Sequence, residues 1–335
     1  MHVRVVASSI ALASLVACAR SAEAPRARAE WAIAIHGGAG TIPRTMDPAQ
    51  VAAYEEALRR ALALGRDGLS AGKAAVDVVE EVARQLEDEP LFNAGKGAVF
   101  THDGTHELDA SIMDGSTLAC GAVAGVKTVR HPISLARLVM DKTKHVLLAG
   151  DGADRFGRDM GVELVDNTWF DTDRRREQWR DAQTKEAAVV DAGPTEPADA
   201  GVKGTIGVVA LDRRGHLAAA TSTGGLTNKR WGRVGDSPVV GAGTYANDAT
   251  AAISCTGTGE EFIRHGVART VSSRMALLHE DVEAAGKGAL APLKPGDGGL
   301  IALDTSGRIA FVFSTDGMYR AAADAGGRFE VAIWR

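Results

Sequence analysis

The sequence predicts an α+β protein in which antiparallel β-sheet is packed between a second sheet and helices. Two hairpin patterns carry this prediction: the apolar run 205–211 is joined by an Asp-to-Gly turn to 216–222, and 300–303 is joined by a similar turn to 308–313. A long helical pattern, 259–279, separates the two hairpins. Strands this apolar are covered on both faces, so helices and a further sheet should flank them.

The first half of the body predicts one buried strand followed by helices. Residues 31–36 are a short apolar run that stops at the glycine-rich turn 37–40. Asp47 before a proline, with Gln50 at the capping-box position, predicts a helix that ends near Gly65. The remaining predicted elements are a helix from Ser70 to about Leu86, strand pieces at 99–100 and 110–113, and helices at 135–144 and 152–160.

Composition narrows the class of protein. The 335 residues are 45% hydrophobic and 24% charged, as in a globular protein of one or two domains, and the net charge of −5 argues against a nucleic-acid or anionic-membrane surface. Cys120 and Cys255 are too few for a disulfide scaffold. His102 and His106 flank an Asp-Gly turn, which argues against a helical metal-binding pair.

The N-terminus has the layout of an export signal. Residues 1–18 are basic and then apolar, and they end in a lipoprotein-like box, Leu15-Val16-Ala17-Cys18, while 19–30 is a linker. The alternative cleavage site, Ala22-Glu23-Ala24, would release a soluble periplasmic protein. We expect an exported, periplasmic protein, anchored to the outer membrane by lipidation of Cys18 in preference to the soluble form.

A polar stretch from about Trp169 to Lys203 predicts a mobile linker, and its Arg174-Arg175-Arg176 run is typical of a solvated helix face. It ends at Gly204-Thr205, which places a hydroxyl at a strand edge. An N-to-O acyl shift followed by hydrolysis would cut the chain there, aided by strained backbone at Gly204. The new α-amine of Thr205, with an ordinary pKa of about 7.7–8.0, could then act as base for its own hydroxyl. Taken alone, such a dipeptide is usually just the end of a loop.

Seven motifs together change that interpretation. They closely resemble, in order and spacing, the plant-type asparaginase and isoaspartyl peptidase family of N-terminal nucleophile hydrolases, from about Trp31 to the C-terminus. The motifs are 36–40, 92–100, 204–207, 221–225, 232–238, 241–246 and 254–260. The resemblance implies a four-layer αββα sandwich, in which 31–204 and 205–335 are two subunits of one domain. Residues 241–246 also mimic a dinucleotide fingerprint, but Asn247-Asp248 interrupts the helix that such a site needs.

The resemblance also implies an active site. Thr205 is implied as the self-cleaving nucleophile, with the cut after Gly204, Thr223 as the residue that tunes its amine, and Asn93 as a neighbour. The Thr256 hydroxyl and the Gly257 N–H are implied as the oxyanion hole. The remaining implied residues bind the substrate: Arg233 holds its α-carboxylate, and Asp236, Gly257 and Gly259 complete the contacts around its head group.

No cofactor for catalysis is implied, but a structural sodium ion is. Its ligands would be backbone carbonyls of Leu86, Glu87, Glu89, Phe92, Ala94 and Lys96. Lys96 departs from the apolar residue usual in this loop. The resemblance also implies a homo-oligomer of cleaved pairs.

The implied function is hydrolysis of L-asparagine and β-aspartyl dipeptides with release of L-aspartate. A glycosylasparaginase shares the fold and the nucleophile, but Thr223-Gly224-Gly225 is more typical of the asparaginase branch. A threonine protease would need a broader opening. From a different class, an uncleaved periplasmic amino-acid binder would keep the pocket without the chemistry.

Overall fold

A computed structural model of the chain describes residue 2, residues 29–192 and residues 204–335, with the backbone alone at 189–192. The helices are α1 (Pro48–Ser70), α2 (Ala75–Glu87), α3 (Pro132–Lys142), α4 (Gly150–Asp159), α5 (Asp173–Ala192), α6 (Gly259–His265), α7 (Val267–Leu278) and α8 (Val282–Leu290), with 3-10 turns at Gly95–Gly97 and Asn167–Phe170. The strands are β1 (Ala32–Gly40), β2 (Leu108–Asp114), β3 (Cys120–Val126), β4 (Leu147–Ala149), β5 (Ile206–Leu211), β6 (Leu217–Thr223), β7 (Thr244–Ala246), β8 (Ala251–Gly257), β9 (Gly298–Asp304), β10 (Ile309–Phe313), β11 (Gly317–Asp324) and β12 (Phe329–Trp334).

These strands form two sheets. The larger has the order β12-β11-β1-β5-β6-β2-β3-β4, and the smaller has the order β10-β9-β8-β7. Both predicted hairpins are present: β5 with β6 at the centre of the larger sheet, and β9 with β10 at an edge of the smaller. The prediction of a protein that mixes helices with antiparallel sheet is confirmed.

The hydrophobic core consists of two clusters, and successive side chains of a central strand belong alternately to one cluster and to the other. Ile33 and Ile35 of β1 join a cluster with residues of α1, α2 and α3. Ala32 and Ala34, on the other face of the same strand, join a second cluster with residues of β8, β9, α7 and α8. On β1 the large side chains therefore meet the helices, while the small ones face the other sheet.

Gly65 was expected to end the first helix, and this is wrong because α1 continues to Ser70. A Cβ on Gly65 would lie 2.3 Å from Cδ1 of Ile33. The glycine thus permits close contact between helix and sheet. The second helix, expected from Ser70, begins only at Ala75.

The expectation of a mobile linker from about Trp169 is wrong as far as residue 192, because α5 occupies most of this segment. The helix is anchored by Trp179, whose ring stacks on Phe100 at 5.5 Å, and by Arg175, which is buried rather than solvated. The helix makes these contacts with few apolar residues, so the hydrophobic periodicity of its sequence does not indicate a packed helix. Residues 193–203, the expected export signal 1–18 with Cys18, and all but the last two residues of the linker 19–30 lie outside the described residues.

Gly207 lies at a close approach of the two sheets, and its substitution tests the packing. A Cβ there would lie 2.0 Å from Oγ of Ser254 and 2.2 Å from Nε2 of His36. We expect Gly207→Ala to lower the free energy of unfolding by about 1–3 kcal/mol, the usual effect of overpacking. Gly152→Ala is the control: its Cβ would meet nothing within 4 Å, so it should leave stability unchanged or raise it by up to about 1 kcal/mol. Urea unfolding measures both, and equal effects would contradict this account of the packing.

Candidate active site

Thr205 and Thr223 lie side by side at the end of the central hairpin. The pairing of Ile206 with Ser222 brings the residue before β5 next to the last residue of β6. Oγ1 of Thr205 donates a hydrogen bond to Oγ1 of Thr223 at 3.1 Å, and both side chains are buried. Oγ1 of Thr223 also accepts from the N–H of Gly225 at 3.0 Å. The hydrogen bond of the Thr205 hydroxyl thus goes to another hydroxyl rather than to an imidazole or a carboxylate.

Asn93 connects the two chain segments on either side of this pair. Its backbone N–H donates to the carbonyl of Gly204 at 2.9 Å, and its Nδ2 donates to the carbonyl of Gly225 at 2.7 Å. Its Oδ1 accepts from the N–H of Val99 at 2.9 Å. A Cβ on Gly204 would lie 2.9 Å from Cβ of Asn93, and the φ of Gly204 is not positive. The glycine is therefore required for close approach, and the expected strained backbone is not present.

His36 holds the other side of Thr205. Its Nδ1 donates to the carbonyl of Thr205 at 3.0 Å, so its Nε2 accepts from the hydroxyl of Ser254, also at 3.0 Å. Complete burial lowers the pKa of His36 to about 3, which keeps the ring neutral. This bridge between the sheets was not identified as a function of His36 in the sequence, where only the motif 36–40 pointed to it.

Thr256 and Gly257 end strand β8, which continues from Ser254. Because side chains alternate along a strand, Thr256 faces the same side as Ser254. Oγ1 of Thr256 is fully buried and has no hydrogen-bond partner among the described residues. A Cβ on Gly257 would lie 2.3 Å from the carbonyl of Asp297, so the strand needs a glycine there. A hydroxyl donor is therefore available in the interior, with no acceptor in the part of the chain that the structure describes.

The side chains of Arg233 and Asp236 both lie close to the Cα of Gly259. A Cβ on Gly259 would lie 2.7 Å from Nη2 of Arg233 and 3.0 Å from Oδ1 of Asp236. Burial raises the pKa of Asp236 to about 7, although the charge of Arg233 opposes this, and Oδ2 has no partner among the described residues. Nε and Nη2 of Arg233 donate to the two carboxylate oxygens of Glu260 at 3.0 Å each. This ion pair between Glu260 and the guanidinium of Arg233 was not predicted from the sequence.

The loop 86–96 is tightly folded around backbone carbonyls. The oxygen of Phe92 lies 2.0 Å from where a Cβ on Gly97 would be. Nζ of Lys96 leaves the loop, donates to the carbonyl of Trp169 and lies 4.8 Å from the centre of its ring. No group of three or more His, Cys, Asp or Glu residues with metal-binding geometry occurs in the part of the chain that the structure describes. Three of the expected ligand carbonyls accept a backbone hydrogen bond: those of Leu86, Glu89 and Ala94.

The chain is similar to known proteins over most of its length. A family model described as Asparaginase matches residues 29–333. An isoaspartyl peptidase of Escherichia coli is 50% identical over 308 residues, which cover 90% of this chain and 96% of that protein. A probable isoaspartyl peptidase/L-asparaginase 2 of Arabidopsis thaliana is 44% identical, covering 91% and 99%. A plant-type L-asparaginase of Pyrococcus furiosus is 42% identical, covering 86% and 94%.

The expected localisation is contradicted. The relatives from Escherichia coli, Arabidopsis thaliana and Xenopus laevis are cytosolic enzymes without signal peptides, which overturns the expectation of an exported, periplasmic and lipid-anchored protein. Among the described residues, no helix is long and apolar enough to cross a membrane.

Proposed function

The chain belongs to the asparaginase family, and from this we propose that it is a self-cleaving threonine amidohydrolase that releases L-aspartate from L-asparagine and β-aspartyl dipeptides. The names of the relatives supply the substrate class. The observation that carries the chemistry is the hydrogen bond between Oγ1 of Thr205 and Oγ1 of Thr223, directly after the bond to be cut. Catalysis in this family needs no cofactor.

Self-cleavage between Gly204 and Thr205 gives the nucleophile its base. Oγ1 of Thr205 attacks the carbonyl carbon of Gly204, the C–N bond breaks, and water hydrolyses the resulting ester. The N–H of Asn93, at 2.9 Å from the Gly204 carbonyl oxygen, is placed to stabilise the negative charge that develops there. The products are a carboxylate on Gly204 and an α-amine on Thr205. This amine replaces an amide nitrogen that could not accept a proton.

In turnover the same hydroxyl attacks the side-chain carbonyl of the substrate. The α-amine of Thr205 takes the hydroxyl proton and passes it to the leaving group, which is ammonia or the amino group of a dipeptide's second residue. The unpartnered hydroxyl of Thr256, with the N–H of Gly257, holds the oxyanion of the tetrahedral intermediate. Water then hydrolyses the β-aspartyl ester and frees L-aspartate.

The head group of the substrate is held by Arg233 and Asp236. An α-carboxylate suits a guanidinium, and an α-ammonium suits the buried Oδ2 of Asp236, which has no partner among the described residues. Because Glu260 occupies Nε and Nη2 of Arg233, the substrate carboxylate either binds through Nη1 or displaces Glu260. Because Gly259 has no side chain, the guanidinium of Arg233 and the carboxylate of Asp236 can both lie close to its backbone.

We further propose the four-layer αββα sandwich, supported by the packing of α1, α2 and α3 on the larger sheet and of α7 and α8 on the smaller. The loop 86–96 is proposed as a sodium site, because its backbone carbonyls are the hard oxygen ligands that such a cation takes. Cleaved pairs are proposed to form a homo-oligomer, which the exposed Leu277 and Leu278 at the end of α7 favour.

Thr205→Ala tests self-cleavage. We expect the purified wild-type protein to contain a fragment that begins at Thr205 and ends at Arg335, and the variant to remain one inactive chain, because it lacks the attacking hydroxyl. Thr205→Ser, which keeps a hydroxyl, should still cleave. Intact mass spectrometry measures all three, and two fragments from Thr205→Ala would reject the nucleophile.

Arg233→Lys tests recognition of the α-carboxylate. The variant keeps the charge but loses the planar fork, so we expect KM for asparagine to rise about tenfold or more, while self-cleavage continues. Steady-state kinetics on fully cleaved protein provide the measurement. Normal turnover in both Arg233→Ala and Asp236→Ala would show that the head group is held elsewhere.

The raised pKa of Asp236 predicts pH-dependent binding of the ammonium group. Above about pH 7 the carboxylate is charged and attracts the ammonium, whereas below it the carboxyl is protonated and the attraction is lost. We expect the competitive inhibition constant of L-aspartate to rise as the pH falls through about 7. In Asp236→Asn it should be high and nearly constant over this range; a pH dependence like that of the wild type would assign the titration to another group.

A further inference from the structure

Arg175 is a buried guanidinium beside the bond that is proposed to be cut. Only 3% of the residue is exposed, although it belongs to the polar helix α5. Its Nη2 lies 3.5 Å from the position that a Cβ on Gly204 would occupy. Its Nε donates to the carbonyl of Gly97 at 2.7 Å, and its Nη1 donates to Oε1 of Gln178 at 2.9 Å. The group is thus held in place by neutral acceptors.

No carboxylate compensates this charge among the described residues. The groups that act on Arg175 electrostatically are Arg174, Tyr54 and Tyr319, none of which is a carboxylate. Burial is the main cause that lowers its pKa to about 9, and the charge of Arg174 adds to the effect. Its neighbour Arg176, by contrast, has an ion pair with Asp171. A buried cation without a counter-ion is destabilising, so its position beside Gly204 calls for an explanation.

We propose that Arg175 is the counter-ion for the negative charge that self-cleavage creates on Gly204. The inference rests on the proposed cleavage between Gly204 and Thr205. In that reaction the amide bond breaks and one water is consumed: its oxygen completes a carboxylate on Gly204, and its two protons leave an ammonium group on Thr205. The carboxylate then forms beside a guanidinium that, before the cut, has no anionic partner among the described residues.

Arg175 and Asn93 have different parts in this reaction. The N–H of Asn93 is a neutral donor that positions the Gly204 carbonyl in the uncut chain. Arg175 acts through its positive charge, which stabilises first the oxyanion that forms at Gly204 and then the carboxylate. The substrate head group is bound by other residues, so Arg175 should affect maturation of the enzyme rather than turnover by the mature form.

The rate of self-cleavage is the first test. Full-length Arg175→Gln and Arg175→Lys are purified as uncut chains and followed by mass spectrometry, with Arg180→Gln, at an exposed position of the same helix, as the matched control. We expect the first-order rate constant to fall about tenfold or more in Arg175→Gln, as for loss of one charge-assisted contact, to recover in part in Arg175→Lys, and to stay unchanged in Arg180→Gln. Turnover per cleaved molecule should equal that of the wild type.

These outcomes separate the two proposals. A wild-type chain that stays whole would reject self-cleavage itself. A wild-type chain that cuts itself while Arg175→Gln cuts equally fast would overturn only the inference on Arg175.

Thermal unfolding gives a second test, which distinguishes a counter-ion of Gly204 from a residue with a purely structural role. In the uncut Thr205→Ala background, adding Arg175→Met removes an uncompensated buried charge, so Tm should rise. In the cleaved protein the same substitution removes an ion pair with Gly204, so Tm should fall. A change of the same sign in both backgrounds would overturn the proposal, and a folded Arg175→Met chain that never cleaves would support it.

Discussion

The close approach of the two sheets beneath Thr205 is the constraint on which the site depends. At Gly207 there is room only for hydrogen, since both His36 and Ser254 lie where a Cβ would be. This proximity lets one neutral imidazole bridge the carbonyl of Thr205, the residue before β5 of the larger sheet, and the hydroxyl of Ser254 in the smaller sheet. Thr256 lies two residues further along the same strand face, so the packing of the two sheets also constrains its position relative to Thr205. Sheet packing therefore constrains how the proposed nucleophile and the proposed oxyanion donor are placed relative to each other.

The site leaves buried polar atoms without partners in the described structure, and these atoms are the ones that the proposed substrate would satisfy. Oγ1 of Thr256 and Oδ2 of Asp236 are both buried and unpaired. Each such atom typically destabilises a fold by about 1–3 kcal/mol. The raised pKa of Asp236 reflects the same lack of solvation. The fold is thus less stable than it would be with these atoms paired, and the proposed substrate would restore both contacts, with its ammonium group at Asp236 and its reacting carbonyl at Thr256.

Local signals in the sequence were sufficient for much of the fold. Asp47 caps α1 as predicted, with Oδ1 accepting from the N–H of Ala49 at 2.9 Å, and both hairpins have their expected strands. Strands β3 and β11 were missed because they are rich in Ala and Gly: β3 has only two β-branched residues, Val123 and Val126, and β11 has none. The predicted helix 259–279 is divided at Gly266, whose φ of 52° ends α6. Such breaks and packing contacts depend on tertiary structure.

The same limit applies to the site. Motif order supplied the residues that are proposed to line it. Neither Glu260 on Arg233 nor Arg175 beside Gly204 could be inferred, because each contact depends on side-chain packing rather than on motif spacing.

The proposed self-cleavage and the proposed turnover use one hydroxyl but different surroundings. In the uncut chain the carbonyl next to Thr205 is held by the N–H of Asn93, whereas a substrate carbonyl would be oriented by Thr256 and by the head-group residues on the smaller sheet's side. A substitution near the Gly204 carbonyl should therefore affect self-cleavage alone, and a substitution of Thr256 or of the head-group residues should affect turnover alone. Asn93 is the exception, because its Nδ2 also holds Gly225, whose N–H in turn binds Thr223. In the proposed mechanism, a change at Asn93 would disturb both the bond to be cut and Thr223, so it should affect maturation and catalysis together.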